Sequence, residues 1–320
     1  MFGELKLLTG NANPDLAHAI SGELEIPIGE MSVSRFKDGE YDVKIAESVR
    51  GNDVFLIQPT CQPVSENLIQ LFIILDALHR ASAARVTAVM PYYGYARKEK
   101  KTAPRDPISA KLMANIITLA GADRVIALDL HADAIQGFFD VPVDHLFAAK
   151  ILAGHIRSRH RKGDFTVVSP DPGGTKRARY IANLLDAPMA FVDKRRPKDD
   201  VAEVLNVVGD VDGMGAVVID DLISTGSTLV GVANALKASG ATNVEVLATH
   251  GVLSDGAVER LAAAPIDQIV VTDSIPIRDQ HEKLTVLSVA PLLAEGIRRV
   301  HEDRSVSELF RDTPLDGAVE

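Results

Sequence analysis

The chain has 320 residues, 46% hydrophobic and 24% charged, a composition that builds soluble globular domains at a length sufficient for two of them. A net charge of -10, no tryptophan and 5% aromatics exclude a general binder of nucleic acid or of anionic membranes, while leaving room for a small anion held by a local basic cluster. A single cysteine, Cys61, excludes an intramolecular disulfide framework and a cysteine-rich zinc site. The first residues hold no basic segment leading into an apolar one, and no apolar run is long enough to span a bilayer, so a cytoplasmic protein without a membrane partner is expected.

In chain order, strand-like runs fall at 5–10, 53–59, 85–93 and 124–131, and then at 165–171, 189–195, 215–221, 243–251 and 268–274. Apolar spacings of three and four predict helices at 65–82, 109–120, 173–186, 227–239 and 290–302. This alternation, with near-continuous Val/Ile strands, predicts an α/β fold of mostly parallel sheets flanked by helices. One strand-helix series ends and another begins near residue 147, which divides the chain into 1–147 and 148–303. Several strands end in Asp, His, Lys or Arg where a chain in an open parallel sheet turns, which is where such sheets bind ligands.

The most informative stretch is "VVIDDLISTGST" (217–228). An apolar strand leads to paired acids, Asp220 and Asp221, then to Ser224, Thr225, Gly226, Ser227 and Thr228 at the start of a helix. Free amides and the dipole of a helix N-terminus suit a phosphate, Gly226 lets the backbone come close, and the hydroxyls add donors. Two carboxylates suit a neighbouring diol, directly or through a metal ion. Phosphate and diol on one small ligand specify a sugar phosphate. An acidic strand end followed by a hydroxyl-rich turn is the plain structural alternative. Neither GxxxxGK[ST], nor strand-GxGxxG-helix, nor HExxH occurs, so a P-loop, a dinucleotide site and hydrolytic zinc chemistry are not expected.

This stretch resembles the ribose 5-phosphate signature shared by phosphoribosyltransferases and ribose-phosphate pyrophosphokinases. "RFKDGE" (35–40), "PYYGYARKEKK" (91–101), "ALDLHADAIQGFFDVPVDHL" (127–146), "VSPDPGGTKRAR" (168–179) and "FVDKRRP" (191–197) resemble the latter family, in its order and spacing, over essentially the whole chain. The resemblance implies two phosphoribosyltransferase-like domains, an N-terminal one with the ATP site and a C-terminal one with the sugar site and a catalytic loop. It further implies that residues 304–320 pack back on the first domain.

The implied activity is transfer of the diphosphoryl group of Mg-ATP to ribose 5-phosphate. In that reading Lys194 and Arg196 are catalytic cations, residues 220, 221 and 224–228 hold the sugar phosphate, and Arg97 and Lys98 contact ATP. His131 and Asp171 help to hold Mg²⁺. Phe36, Asp38 and Glu40 would reach a neighbouring subunit's ATP, which makes the protein a homo-oligomer, dimer-based and expected to be a hexamer. "RSVSELF" (304–310) resembles a segment that binds phosphate or ADP at a regulatory interface in many family members.

The chain departs from the commoner family pattern at Lys98 and Glu99, where Gln and Asp are usual, at Ser224, where many members carry Asp, and at Ser227, where Gly is common. A serine in place of the acid removes a charge beside the phosphate and leaves a donor. Ser227 would crowd the loop if its φ were positive. Two alternatives stay open on the residues alone: a non-catalytic regulatory subunit of such an enzyme, and a phosphoribosyltransferase that consumes the product.

Overall fold

The computed structural model describes residues 3–195 and 204–310. The first half runs β1 (Leu5–Thr9), α1 (Pro14–Leu24), β2 (Met31–Arg35), β3 (Tyr41–Ile45), β4 (Asp53–Ile57), α2 (Val64–Arg80), β5 (Arg85–Met90), α3 (Ser109–Leu119), β6 (Arg124–Leu128) and β7 (Val143–Leu146). Five of these strands form a parallel sheet in the order β1-β4-β5-β6-β7, and β2 and β3 form a separate antiparallel hairpin. Alternate residues of the sheet serve opposite faces, as the two-residue period of a strand requires. Val54, Leu56, Val86 and Ala88 pack under α2 and α3, while Leu7, Phe55, Ile57 and Ile126 pack on the other face.

The second half contains α4 (Ala149–Arg159), β8 (Phe165–Ser169), α5 (Thr175–Leu185), β9 (Met189–Arg195), β10 (Val204–Val208), β11 (Gly215–Ile223), α6 (Ser227–Ala238), β12 (Asn243–Gly251), α7 (Ala257–Ala263), β13 (Gln268–Thr272), β14 (Leu284–Leu287) and α8 (Ala290–His301). Its seven-stranded sheet has the order β10-β9-β8-β11-β12-β13-β14, with only β10 antiparallel to its neighbour among the described strands. One face packs on α6 and Leu261 of α7, the other on α4 and α5. The order runs outward in both directions from the β8/β11 pair. That pair is a topological switch point, where the crossovers go to opposite faces and leave a crevice at the carboxyl ends. The first sheet runs in one direction and has no such point.

The sequence reading brings the chain back to the first sheet at residue 304, but the packing does so earlier. Leu293, Ile297 and Val300 of α8 share a core cluster with β1, β4 and α1. Arg85 clamps buried Asp53 at 2.8 and 2.6 Å and donates to the Val300 carbonyl at 3.0 Å, while His301 Nδ1 meets Asp53 at 2.8 Å. A 3₁₀ turn, Val306–Phe310, continues from α8, and its Phe310 ring stands edge-on to Phe147 at 5.2 Å. Cys61 is buried and unbridged, and burial pushes its thiol up to about 11, which leaves it unreactive. No helix among the described residues is long and apolar enough to cross a membrane.

Candidate active site

The carboxyl ends of the two sheets face each other across a cleft of about 870 Å³. The switch-point strands furnish its acids. β8 runs into Asp171, whose Oδ1 accepts from the Gly174 amide at 3.0 Å and so closes the turn into α5. A Cβ on Gly174 would lie 2.8 Å from Ser169 Oγ, so a larger residue there would displace that hydroxyl. One turn into α5, Arg177 projects toward the neighbouring strand β11, its Nη1 3.5 Å from Asp221 Oδ1.

The first sheet adds the opposite wall. After β6 the backbone turns at Asp129, with φ +39°, and two residues later His131 reaches across so that Nδ1 lies 2.6 Å from Asp221 Oδ2. This ion pair divides the labour of the two acids. Burial alone would raise Asp221, but the His131 hydrogen bond and the Arg177 charge outweigh it and hold the carboxyl well below its usual range. The same hydrogen bond raises His131 against the opposing effect of burial. Asp220 lies beside an occupied carboxylate, and burial, then the Asp221 charge, push it up to about 8. Asp220 therefore holds its proton to a higher pH than Asp221 does, a difference that the adjacent "DD" of the sequence did not reveal.

The sequence-derived site residues separate into three groups. Arg97, His131, Asp171, Asp220 and Asp221 line the one cleft, and Arg177, Tyr180 and Phe310 join them there. Arg177 is a residue that sequence reasoning passed over. Its signal was a basic pair one turn into a helix that follows a strand end and two glycines.

Lys98 does not line the cleft. Its ammonium turns into its own loop, 3.3 Å from Asp106 Oδ2, which also accepts from the Thr102 hydroxyl at 2.7 Å and from the Thr102 and Ala103 amides. Glu99 takes a place in the cleft wall instead. Phe36, Asp38 and Glu40 form the tip of the β2–β3 hairpin, outside the cleft, and Phe36 is 55% exposed. Lys194 lies in β9, its backbone opposite Leu205, and Arg196 lies outside the described residues.

Residues 224–228 form the turn from β11 into α6. The positive φ falls on Gly226, at +76°, and not on Ser227, which begins α6 in ordinary backbone. The crowding that a positive φ at Ser227 would have caused is absent. The Val230 amide makes the first helical bond to Gly226, so the amides of residues 227–229 remain for a ligand at the helix start. Ser224 contacts Ser254, with the two hydroxyl oxygens 3.5 Å apart, and Arg260 donates to the Thr225 carbonyl, which fixes the loop from the α7 side.

The donor set of the cleft fits a hard divalent cation that keeps much of its water. Among the described residues no group of three or more His, Cys, Asp or Glu side chains could hold a metal, and Mg²⁺ is ordinarily held by one or two carboxylates together with substrate phosphates. Asp171 and, through water, His131 would supply the protein's share.

A switch point whose acids are faced by basic groups from a second parallel sheet defines an α/β protein that binds a small anionic ligand together with polyol oxygens. The chain belongs to the ribose-phosphate pyrophosphokinase family. A family model described as the N-terminal domain of ribose phosphate pyrophosphokinase matches residues 5–121, and one described as a phosphoribosyl synthetase-associated domain matches residues 169–311. The ribose-phosphate pyrophosphokinase of Caldanaerobacter subterraneus subsp. tengcongensis is 53% identical over 308 residues, covering 96% of this chain and 98% of its own length. That of Bacillus caldolyticus is 52% identical over 309 residues, with coverages of 96% and 98%. The crystal structure of phosphoribosylpyrophosphate synthetase from Mycobacterium smegmatis is 44% identical and superimposes with a TM-score of 0.90, covering 94% of this chain and 100% of that one.

Proposed function

We propose that this chain is a ribose-phosphate diphosphokinase. It transfers the β,γ-diphosphoryl group of ATP to the 1-hydroxyl of ribose 5-phosphate, giving PRPP and AMP. The observation that carries this reading is the convergence of Asp171, Arg177, Asp220 and Asp221 from one sheet with Arg97 and His131 from the other in a single cleft, in a chain of this family. Residues 1–147 would form the ATP-binding domain, on which α8 packs back, and the segment from α4 to β14 the sugar-binding domain.

The 1-oxygen attacks the β-phosphorus and gives up its proton to solvent, the bond between the β-phosphorus and the α–β bridging oxygen breaks, and AMP departs with that oxygen. The chemical problem is the accumulation of negative charge, so positioning and charge stabilisation dominate. Residues 224–228 hold the 5-phosphate at the N-terminus of α6. Asp221, ionised, accepts from one sugar hydroxyl, and Asp220 accepts from its neighbour once its proton has been displaced. Arg97 steadies the nucleotide, and Lys194 and Arg196 meet the charge on the migrating group. Mg²⁺, when bound, neutralises the ATP phosphates and polarises the β-phosphorus. Phe36, Asp38 and Glu40, which lie outside their own chain's cleft, would serve the ATP site of a neighbouring subunit in a homo-oligomer, dimer-based and hexameric in full. The composition, with a single, buried cysteine, supports a cytoplasmic location.

Phosphorus NMR of the purified protein with Mg-ATP and ribose 5-phosphate tests the reading. AMP and PRPP appear together. ADP with a sugar bisphosphate would replace it with ordinary γ-phosphoryl transfer, and saturable nucleotide binding without turnover would make the chain a regulatory subunit.

A further inference from the structure

In the loop that carries His131, Asp129 is held from both sheets, and the next amide, Leu130, donates to His145 Nε2 at 2.9 Å. The Asp129 φ of +39° is uncommon for a residue with a Cβ, and such a conformation persists only where its surroundings over-determine it. From its own sheet, the Asp129 amide donates to the Leu146 carbonyl at 2.9 Å, and Oδ2 accepts from the Ala148 amide at 2.9 Å. From the other sheet, two consecutive residues at the end of β12 complete the set. Thr249 Oγ1 donates to Asp129 Oδ2 at 2.7 Å, and His250 Nε2 lies 3.2 Å from both the Leu128 and the Asp129 carbonyl oxygens.

Those two carbonyls can only accept, so His250 Nε2 bears the proton. Nδ1, 2.9 Å from Ser274 Oγ, then accepts from that hydroxyl. Ser274 Oγ lies 2.9 Å from Nδ1 and 3.2 Å from the Thr249 carbonyl; that carbonyl already accepts from Thr272 Oγ1 at 2.6 Å, so the shorter contact, to the imidazole, takes the Ser274 proton. His250 is 3% exposed and Tyr92 stands edge-on to it at 5.1 Å. Burial also holds this imidazole below its usual range, consistent with a neutral ring.

We infer that Thr249 and His250 form a positioning clamp across the two sheets: by gripping the carbonyl and the carboxylate of Asp129, they hold the turn that aims His131 at Asp221. Neither residue lines the cleft, so neither touches substrate, and their effect on the reaction passes through the geometry of residues 129–131. The inference rests on the proposed diphosphotransfer for its kinetic consequence, but not for its structural one.

The test uses His250→Leu, His250→Gln and Thr249→Val in the full chain. A glutamine amide nitrogen can occupy the place of Nε2 and donate to the same carbonyls, whereas leucine fills the space without a donor. In the wild type, PRPP formation gives kcat and KM, and calorimetry gives the affinity for ribose 5-phosphate without nucleotide. His250→Leu is expected to lower kcat at least tenfold with ribose 5-phosphate affinity within about threefold of wild type. His250→Gln should recover most of that loss, and Thr249→Val should fall between them. A purely structural role would lower the melting temperature of the leucine and glutamine variants alike and leave the kcat of the folded protein unchanged, which would overturn the clamp. Crystal structures of the variants read the positioning with no reference to turnover. His131 should leave Asp221 in His250→Leu and keep its contact in His250→Gln; retention of the contact in His250→Leu overturns the inference even where the wild type proves inactive.

Discussion

His131 and Asp221 lie ninety residues apart in sequence, come from different sheets, and meet with 2.6 Å between Nδ1 and Oδ2. The pair joins the two walls of the cleft. It holds Asp221 well below the usual carboxylate range, while burial and the Asp221 charge push Asp220 up. The two sheets together thus set the adjacent acids apart.

A dependence of stability on pH follows for Asp220. Its carboxyl, pushed up to about 8 by burial and by Asp221, is protonated in the folded chain over a range where the unfolded chain, with an Asp pKa of about 3.9, has released the proton. The folded state therefore binds more protons, and its stability falls as pH rises from about 4 toward 8. Asp220→Asn removes that ionisation. Calorimetric melting in buffer free of metal and nucleotide should show the variant gaining on the wild type from pH 5 to 8, with a constant gap above 9. The same variant should bind ribose 5-phosphate at least tenfold more weakly, because an amide cannot become the second anion. A gap independent of pH would mean that Asp220 is ionised throughout.

The turn into α6 makes opposite predictions for adjacent residues. Gly226 has φ +76°, and a Cβ there would sit 2.9 Å from Leu261 Cγ. Gly226→Ala should cost about 1–2 kcal/mol in a urea titration, from strain and displacement of that side chain, and should weaken ribose 5-phosphate binding as the loop amides shift. Ser227 is exposed and in ordinary backbone. Ser227→Gly should change stability by under about 1 kcal/mol, the usual cost of glycine in a helix, and leave the sugar affinity within about threefold of wild type.

Much of this was legible in the chain because parallel strands announce themselves. Runs such as "DVFLI" and "GAVVIDD" are apolar on both faces, and the acids and bases at their ends mark the carboxyl edge. Elements with weaker periodicity went unread. In α4 arginines and a histidine stand among the apolar positions, and β7 and β14 are four residues each. The start of α1 was legible in principle, because Asn13 accepts from the Leu16 amide and Pro14 follows it in the first turn. The hairpin around "RFKDGE" was likewise legible in principle, because Met31, Val33, Val43 and Ile45 alternate with polar residues and pack on the core. Long-range chemistry was the least accessible. No local pattern tells that His131 will meet Asp221 or that Arg177 will join the acids, since each depends on where a crossover returns the chain.

Lys194→Ala addresses transition-state charge. Lys194 lies in β9, beside the switch-point strand β8, and a cation that meets only the migrating diphosphoryl group has nothing to contribute to sugar binding. The variant should lose about a thousandfold or more in kcat while its ribose 5-phosphate dissociation constant stays within about threefold of wild type, measured by stopped assays for AMP and by calorimetry. Parallel losses in turnover and affinity would instead make it a ground-state anchor for the sugar phosphate.

The hairpin tip makes a prediction that only an assembly can satisfy. Phe36 is 55% exposed and, with Asp38 and Glu40, lies outside the cleft of its own chain. An exposed ring flanked by carboxylates is a poor surface feature in an isolated subunit but a suitable contact for the face and amino group of a purine. If it serves the neighbouring chain, a subunit with Phe36→Ala has an intact catalytic loop but spoils its neighbour's nucleotide site, whereas a subunit with Lys194→Ala has an intact hairpin but an inert cleft. Each variant alone should be nearly inactive at limiting ATP. Co-expressed, they form some mixed contacts in which an intact hairpin reaches an intact cleft, and activity should recover to about a quarter of wild type for random pairing. The measurement is the rate of AMP formation against the ratio of the two variants. A rate that only tracks the sum of the separate variants would mean that the hairpin works within its own chain or not at all.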